Sequence, residues 1–124
     1  MKKILIADDD LTVRTILVET ARMEGYVTIE ASSGGRAWDI LNDNSDIAGL
    51  ITDMMMPEIS GRDLVQLIRG TSHYKQLPII MVSAVVSLSE INDILELGAS
   101  RFLPKPINVT YLREYLTALV GPAH

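Results

Sequence analysis

The residue types best suited to chemistry in this sequence come directly after short apolar runs. They are three carboxylates, a hydroxyl and an ammonium, namely Asp8, Asp9, Asp53, Ser83 and Lys105. Carboxylates that lie close together disfavour one another's charge, and oxygen ligands without cysteine or a nearby histidine favour Mg²⁺. A lysine and a hydroxyl suit phosphoryl oxygens, and a carboxylate can be the nucleophile that forms an aspartyl phosphate. The set therefore predicts a magnesium-dependent phosphoryl-transfer site.

These residues can form one site only if the elements that precede them end together. Short apolar runs alternate with helical patterns along the whole chain. The apolar runs predict five strands, at 4–7, 26–31, 48–52, 78–84 and 101–104. The remaining segments carry apolar residues at helical spacing and predict five helices, at 13–24, 35–43, 61–70, 88–98 and 109–120.

The strand–helix alternation indicates an α/β fold. Strands 1, 3 and 4 are almost wholly apolar, as expected for a parallel sheet that helices cover on both faces. Right-handed crossovers then favour a doubly wound, five-stranded parallel sheet. Ligands of such folds bind beyond the carboxyl ends of the strands. Because the five polar residues follow strands 1, 3, 4 and 5, the fold predicts that they meet at this edge.

The composition bounds the class of protein. The chain has 124 residues, of which 48% are hydrophobic and 22% charged, and this predicts one globular domain spanning 1–124. A net charge of -5 argues against direct nucleic-acid binding, and the lack of cysteine excludes disulfides and thiolate metal sites. No apolar stretch has the length of a signal peptide or a membrane span. We therefore expect a cytoplasmic protein without a membrane partner.

Four motifs carry a resemblance to a known family. "ADDD" after strand 1, "ITDMMMP" with Gly61 at strand 3, "VSA" at strand 4 and "FLPKP" at strand 5 stand in the order of that family. Together they resemble the receiver domain of bacterial two-component response regulators, over nearly the full chain. The resemblance implies a flavodoxin-like fold with strand order 2-1-3-4-5. It also implies a phosphorelay switch that catalyses only its own phosphorylation and dephosphorylation.

The resemblance also implies roles for individual residues. Asp53 would accept the phosphoryl group from a sensor histidine kinase or a phosphotransfer protein. The implied ligands of Mg²⁺ are Asp8, Asp9, Asp53 and the backbone carbonyl of Met55. Ser83 and Lys105 would contact the phosphoryl group, and a cis bond before Pro106 would direct Lys105 to the site.

A conformational switch follows from the same resemblance. Phe102 falls at the switch aromatic, which rotates inward when the Ser83 hydroxyl is drawn to the phosphate. The output face would be helix 4, strand 5 and helix 5, with Ile91, Ile94, Tyr111 and Tyr115 as contact or core residues. Met55 and Val85 would flank the site, and both are apolar, so neither can orient a hydrolytic water. The partner would be a downstream protein or an attached output domain, with the chain a monomer or a phosphorylation-dependent dimer.

The aspartate run "DDDLT" leaves alternatives open. Asp10 or Thr12 can simply cap the first helix, and we leave Asp10 out of the metal set. The run also matches the D-x-D-x-T pattern of haloacid-dehalogenase-type phosphatases, in which Asp8 would be the nucleophile and Asp10 the acid/base. That assignment lacks the late acidic pair of those enzymes and leaves Asp53 unexplained. A receiver-like interaction module that is never phosphorylated is the third alternative.

Overall fold

Five strands and five helices alternate over residues 1–84 and 87–124, as the sequence predicts. A computed structural model describes residues 1–84 and 87–124. The strands are β1 (Lys3–Ala7), β2 (Val27–Ala31), β3 (Ile47–Asp53), β4 (Ile79–Ser83) and β5 (Arg101–Pro104). The helices are α1 (Leu11–Met23), α2 (Gly34–Asp43), α3 (Gly61–Arg69), α4 (Leu88–Leu97) and α5 (Val109–Leu119). Within the described ranges, none of these helices has the length and hydrophobicity needed to cross a membrane.

The strands form one parallel sheet in the order β2-β1-β3-β4-β5, which confirms the predicted topology. Ala7 at the end of β1 pairs with Thr52 of β3, and Ser83 at the end of β4 pairs with Pro104 of β5. This register brings the carboxyl ends of four strands to the same edge. The residues that follow those strands are thereby placed next to one another.

Helices cover both faces of the sheet. Along β1, Leu5 and Ala7 pack into the core beneath α2, α3 and α4, whereas Ile4 and Ile6 pack into the core beneath α1 and α5. The alternation of side chains along a strand divides its residues between the two cores. It also explains why these strands are apolar at successive positions.

Each helix begins after a polar residue whose side chain accepts hydrogen bonds from free backbone N–H groups. These N-caps are Asp10, Ser33, Ser60, Ser87 and Asn108. Asp10 accepts from the backbone N–H groups of Thr12 and Val13 at 2.9 and 3.3 Å, which confirms its predicted capping role. The cap also explains why α1 begins at Leu11, two residues before the apolar pattern predicts.

Helix α4 is attached to the rest of the fold by few buried side chains. Of its ten residues only Ile94 is buried, whereas the nine-residue α3 buries four. The carboxyl-terminal end of α4 is held by Arg69 of α3, whose guanidinium donates two hydrogen bonds to the carbonyl of Gly98. The same guanidinium donates to carbonyls of the loop after α3, so that α3 and the end of α4 are tied together.

Candidate functional site

Three carboxylates converge beyond the ends of β1 and β3. One oxygen of each of Asp8, Asp9 and Asp53 lies within 4.8 Å of the others. Asp8 and Asp53 are buried, whereas Asp9 is exposed at the mouth of the cluster. The two strand ends are adjacent because β1 and β3 pair in parallel, so the sheet topology alone brings acids 45 positions apart in sequence together.

Lys105 supplies the positive charge of the site. Its Nζ lies 3.1 Å from Oδ1 of Asp53 and 3.8 Å from Oδ2 of Asp8. The Lys105 backbone N–H donates to the carbonyl of Ser83 at 2.9 Å, which fixes the end of β5 against the end of β4. The peptide bond between Lys105 and Pro106 is cis.

The carboxylate of Asp8 is only half satisfied by the protein. Its Oδ1 accepts the backbone N–H of Asp10 at 2.9 Å, but its buried Oδ2 has no hydrogen-bond partner among the described residues. Burial raises the pKa of Asp8, and the hydrogen bond from Asp10 opposes that rise, while the charge of Asp53 adds to it. A buried acceptor without a donor is costly. It marks a position at which a cation would fit.

The neighbouring carboxylates favour the charged form of Lys105. Burial alone would lower its pKa, but the hydrogen bond and charge of Asp53 and the charges of Asp8 and Asp10 outweigh burial, so the pKa is raised. The ammonium is therefore firmly protonated at neutral pH. Three carboxylates facing one ammonium leave the cluster negatively charged, and hard oxygen donors of this kind are the ligands that Mg²⁺ prefers.

Asp53 is held by the start of the loop that follows it. Its Oδ1 accepts the backbone N–H of Met54 at 2.9 Å, and the N–H of Gly61 donates to the Met54 carbonyl at 2.8 Å. A Cβ at position 61 would lie 2.1 Å from the Asp53 carbonyl oxygen. Only glycine permits this approach, so Gly61 fixes the backbone of Asp53 as well as forming a turn.

The remaining predicted residues of the site are Ser83, Phe102, Met55 and Val85. Ser83 is buried at the end of β4. Phe102 is partly buried and packs against the core beneath α2, α3 and α4. Met55, in the loop after β3, is 72% exposed. Val85, the other predicted flanking residue, lies outside the described residues.

The predicted output residues divide between core and surface. Ile94 is buried and Ile91 partly buried on α4, whereas Tyr111 is exposed on α5 and Tyr115 packs partly buried against the core beneath α1 and α5. Ile91 and Tyr115 therefore each expose part of their apolar surface to solvent. Tyr111 is the one with the most accessible side chain, at 52%.

Sequence reasoning missed Arg14. Its guanidinium donates to the backbone carbonyl of Asp8 at 2.7 Å and pairs with Glu30 of β2 at 3.0 Å. Arg14 thus links the first acid of the cluster to the neighbouring strand. The only sequence signal is a basic residue near the start of a helix that follows the acids, and such residues are common on exposed helix faces.

Comparisons with known proteins agree with this architecture. The family model "Response regulator receiver domain" matches residues 4–117. The chemotaxis protein CheY1 of Helicobacter pylori is 38% identical over 120 residues, which are 96% of this chain and 97% of that protein. The transcriptional regulatory protein CpxR of Escherichia coli is 39% identical over 126 residues, covering 100% of this chain but 51% of CpxR.

A solved structure shows the same likeness in three dimensions. The crystal structure of a response regulator from Chloroflexus aurantiacus superposes with a TM-score of 0.90 at 32% identity, covering 96% of this chain and 97% of that one. The match extends over the strands and helices that build the acid cluster. With the family model and these relatives in agreement, the chain belongs to the response regulator receiver domain family.

Proposed function

We propose that Asp53 accepts a phosphoryl group and that the chain is a phosphorylation switch of a two-component phosphorelay. The observation that carries this proposal is the approach of Lys105 Nζ to 3.1 Å from Asp53 Oδ1, beside the Oδ2 of Asp8, which has no hydrogen-bond partner among the described residues. An ammonium in this position can pair with a phosphoryl oxygen as it approaches the attacking carboxylate. The Ser83 hydroxyl at the end of β4 is the donor for a second phosphoryl oxygen.

The metal of this reaction is Mg²⁺. Asp8, Asp9, Asp53 and the backbone carbonyl of Met55 would hold it, because the cluster offers oxygen donors and a buried oxygen that lacks a partner. When bound, Mg²⁺ offsets the negative charge between the attacking carboxylate and the phosphoryl group. The other contributions come from the chain: Lys105 orients the phosphoryl group, and Met54 N–H orients the Asp53 carboxylate.

The response to phosphorylation would reach the face formed by α4, β5 and α5. A phosphoryl group adds charge and acceptor oxygens at Asp53, and the Ser83 hydroxyl moves to hydrogen-bond with them. This movement leaves room for Phe102, which is only partly buried, to turn inward. The exposed Tyr111 then lies on a surface whose shape differs between the two states.

The partners follow from this role. A histidine kinase or phosphotransfer protein supplies the phosphoryl group in the cytoplasm, and a downstream protein or an attached output domain reads the altered face. The relatives differ in this respect: CheY1 is a chemotaxis protein that this chain matches over nearly its full length, whereas the match spans about half of CpxR, a transcriptional regulatory protein. Both output arrangements are compatible with the same receiver site.

The position of the phosphoryl group tests the proposal. The protein is incubated with acetyl phosphate and Mg²⁺, the adduct is reduced with borohydride, and the labelled peptide is mapped by mass spectrometry. We expect label on the Asp53 peptide, none in Asp53→Asn, and unchanged labelling in the control Asp63→Asn, an exposed carboxylate on α3. Label on Asp8 that survives Asp53→Asn would support the phosphatase alternative instead, and the absence of any adduct would favour an interaction module.

A further inference from the structure

The loop after Asp53, residues 54–60, is tied to the amino-terminal end of α2. The Ser33 hydroxyl donates to Oε1 of Glu58 at 2.5 Å, and the backbone N–H of Gly34 donates to the Pro57 carbonyl at 3.2 Å. The Ser33 Oγ also accepts the backbone N–H of Arg36 at 3.1 Å, so one hydroxyl both caps α2 and holds Glu58. The carboxylate lies at the positive end of the helix dipole, which favours its negative charge.

Two successive glycines make this contact possible. A Cβ at position 34 would lie 1.7 Å from the carbonyl oxygen of Ile59, and a Cβ at position 35 would lie 2.5 Å from Oε1 of Glu58. The backbone of Ile59 cannot yield to a Cβ at position 34, whereas a Cβ at position 35 would push the end of the flexible Glu58 side chain away from Ser33. The "GG" pair that opens α2 is therefore explained by the loop that rests on it, and not by any requirement of the helix, in which glycine is unfavourable.

Glu58 adopts a backbone conformation that is unfavourable for its residue type. Its φ is 70°, and it is the one non-glycine residue with positive φ among residues 1–84 and 87–124. Such a conformation persists where surrounding contacts over-determine it, and these positions concentrate at functional sites. The side-chain contact with Ser33 gives a reason for glutamate here in place of the glycine that the backbone would favour.

We propose that the Glu58–Ser33 contact is a clamp that positions the loop carrying the Met55 carbonyl, so that Glu58 sets the affinity of the site for Mg²⁺. This inference rests on the proposed metal site. The hydrogen bond from the Gly61 N–H to the Met54 carbonyl joins the start of the loop to the first residue of α3. The clamp ties the middle of the loop to α2, and it acts beside the packing of Met56 and Ile59 against the core. Glu58 acts through Met55 and is a positioning residue.

Glu58→Gly separates the clamp from the backbone strain. Glycine accepts a φ of 70° without steric strain, and this relief should offset the lost Ser33 hydrogen bond, so the stability should stay close to that of the wild type. Without the clamp, its dissociation constant for Mg²⁺ should rise on the order of tenfold, the effect usual for loss of a group that orients a metal ligand. Labelling of Asp53 by acetyl phosphate should recover at saturating Mg²⁺, because the chemical groups of the site are intact.

Two further variants complete the test. Glu58→Gln keeps an acceptor for Ser33 and should bind Mg²⁺ more tightly than Glu58→Gly. Tyr26→Phe removes hydrogen bonds to the carbonyls of Leu116 in α5 and of Gly121 after it, and should lower the Tm without changing Mg²⁺ affinity. Affinities are measured by NMR titration of the full chain, and stabilities by thermal unfolding without metal.

The outcomes separate the clamp from the metal site itself. Weaker Mg²⁺ binding in Glu58→Gly with stability close to that of the wild type supports the clamp. Equal binding in Glu58→Gly and the wild type, or equal weakening in Tyr26→Phe, overturns it while leaving the metal site standing. If the wild type and Asp8→Asn show the same response to Mg²⁺, the proposed metal site fails, and the clamp's role fails with it.

Discussion

The buried carboxylate of Asp8 leads to a prediction that runs against the usual effect of a substitution in a site: Asp8→Asn should stabilise the metal-free protein. The asparagine keeps an oxygen that accepts the Asp10 N–H. Its neutral amide group takes the place of Oδ2, which has no hydrogen-bond donor among the described residues. The variant therefore replaces a buried charge that lacks a donor by a neutral group that costs less to bury.

The magnitude follows from the cost of an unsatisfied buried group. Relief of that cost should increase the free energy of unfolding by about 1–3 kcal/mol. With an unfolding entropy of roughly 2.1 cal/mol/K per residue, each kcal/mol changes the Tm of a 124-residue chain by about 4 °C. Loss of the attraction to Lys105 at 3.8 Å opposes the gain. Burial is the largest influence on the pKa of Asp8 and exceeds that attraction, so the net change is stabilising.

The effect should depend on pH in a defined direction. Asp8 has a folded-state pKa above its ordinary value of 3.8, so folding favours its protonated form. Its contribution to stability is complete below about 3.8 and is lost as pH rises through the folded-state pKa. The advantage of Asp8→Asn should therefore be largest at neutral pH and shrink as the pH falls toward 3.8. Comparison of the two proteins cancels the titration of the groups that do not interact with Asp8.

The assay is urea unfolding at pH 7 with and without Mg²⁺. A ligand that binds only the folded state stabilises it by about 2.7 kcal/mol at 100 times its dissociation constant, so the wild type should gain stability with Mg²⁺ and Asp8→Asn should gain much less. Asp9→Asn is the control, because Asp9 is exposed and its replacement should change metal-free stability by less than about 0.5 kcal/mol. A destabilised Asp8→Asn in the absence of metal would refute the reasoning.

Three further predictions concern the surroundings of Asp53. Gly61→Ala should destabilise the protein by about 1–3 kcal/mol and slow labelling of Asp53, whereas Gly70→Ala, whose Cβ would be 3.5 Å from its nearest neighbours, should do neither. Asp10→Ala should cost about 1 kcal/mol of stability as a lost N-cap yet leave labelling intact, and loss of label would return Asp10 to the chemistry. Beryllofluoride with Mg²⁺ should shift the NMR signals of Phe102 in the wild type and much less in Ser83→Ala; equal shifts would disprove the coupling.

The sequence best predicts the features that depend on the residue pattern of a single segment. The apolar runs of β1, β3 and β4 predict buried parallel strands. Because the carboxyl ends of parallel strands meet at one edge of the sheet, the same pattern predicts that Asp8, Asp53 and Lys105 lie together. The strand order required the resemblance, because hydrophobic periodicity does not specify which strands are adjacent. The apolar pattern predicts a start of α1 at residue 13, two residues too late, because the Asp10 cap begins the helix ahead of that pattern.

Contacts between side chains distant in sequence could not be predicted. Ser33 and Glu58 are 25 positions apart, and nothing in either local sequence indicates the other. The missing partner of Asp8 Oδ2 is likewise a property of packing around one atom. Residue types and spacing identify the chemical groups of a site, whereas the groups that orient them depend on how loops approach one another.

The slight attachment of α4 has a consequence for local stability. A helix that buries one side chain should open without global unfolding, so its amide hydrogens should exchange with solvent faster than those of α3, which buries four residues. Because opening requires little free energy, a small difference in contact energy between two states of the chain is enough to redistribute them. The amides near Gly98, held by Arg69, should exchange more slowly than those near Leu88. Helix α4 would thus open progressively from its amino-terminal end.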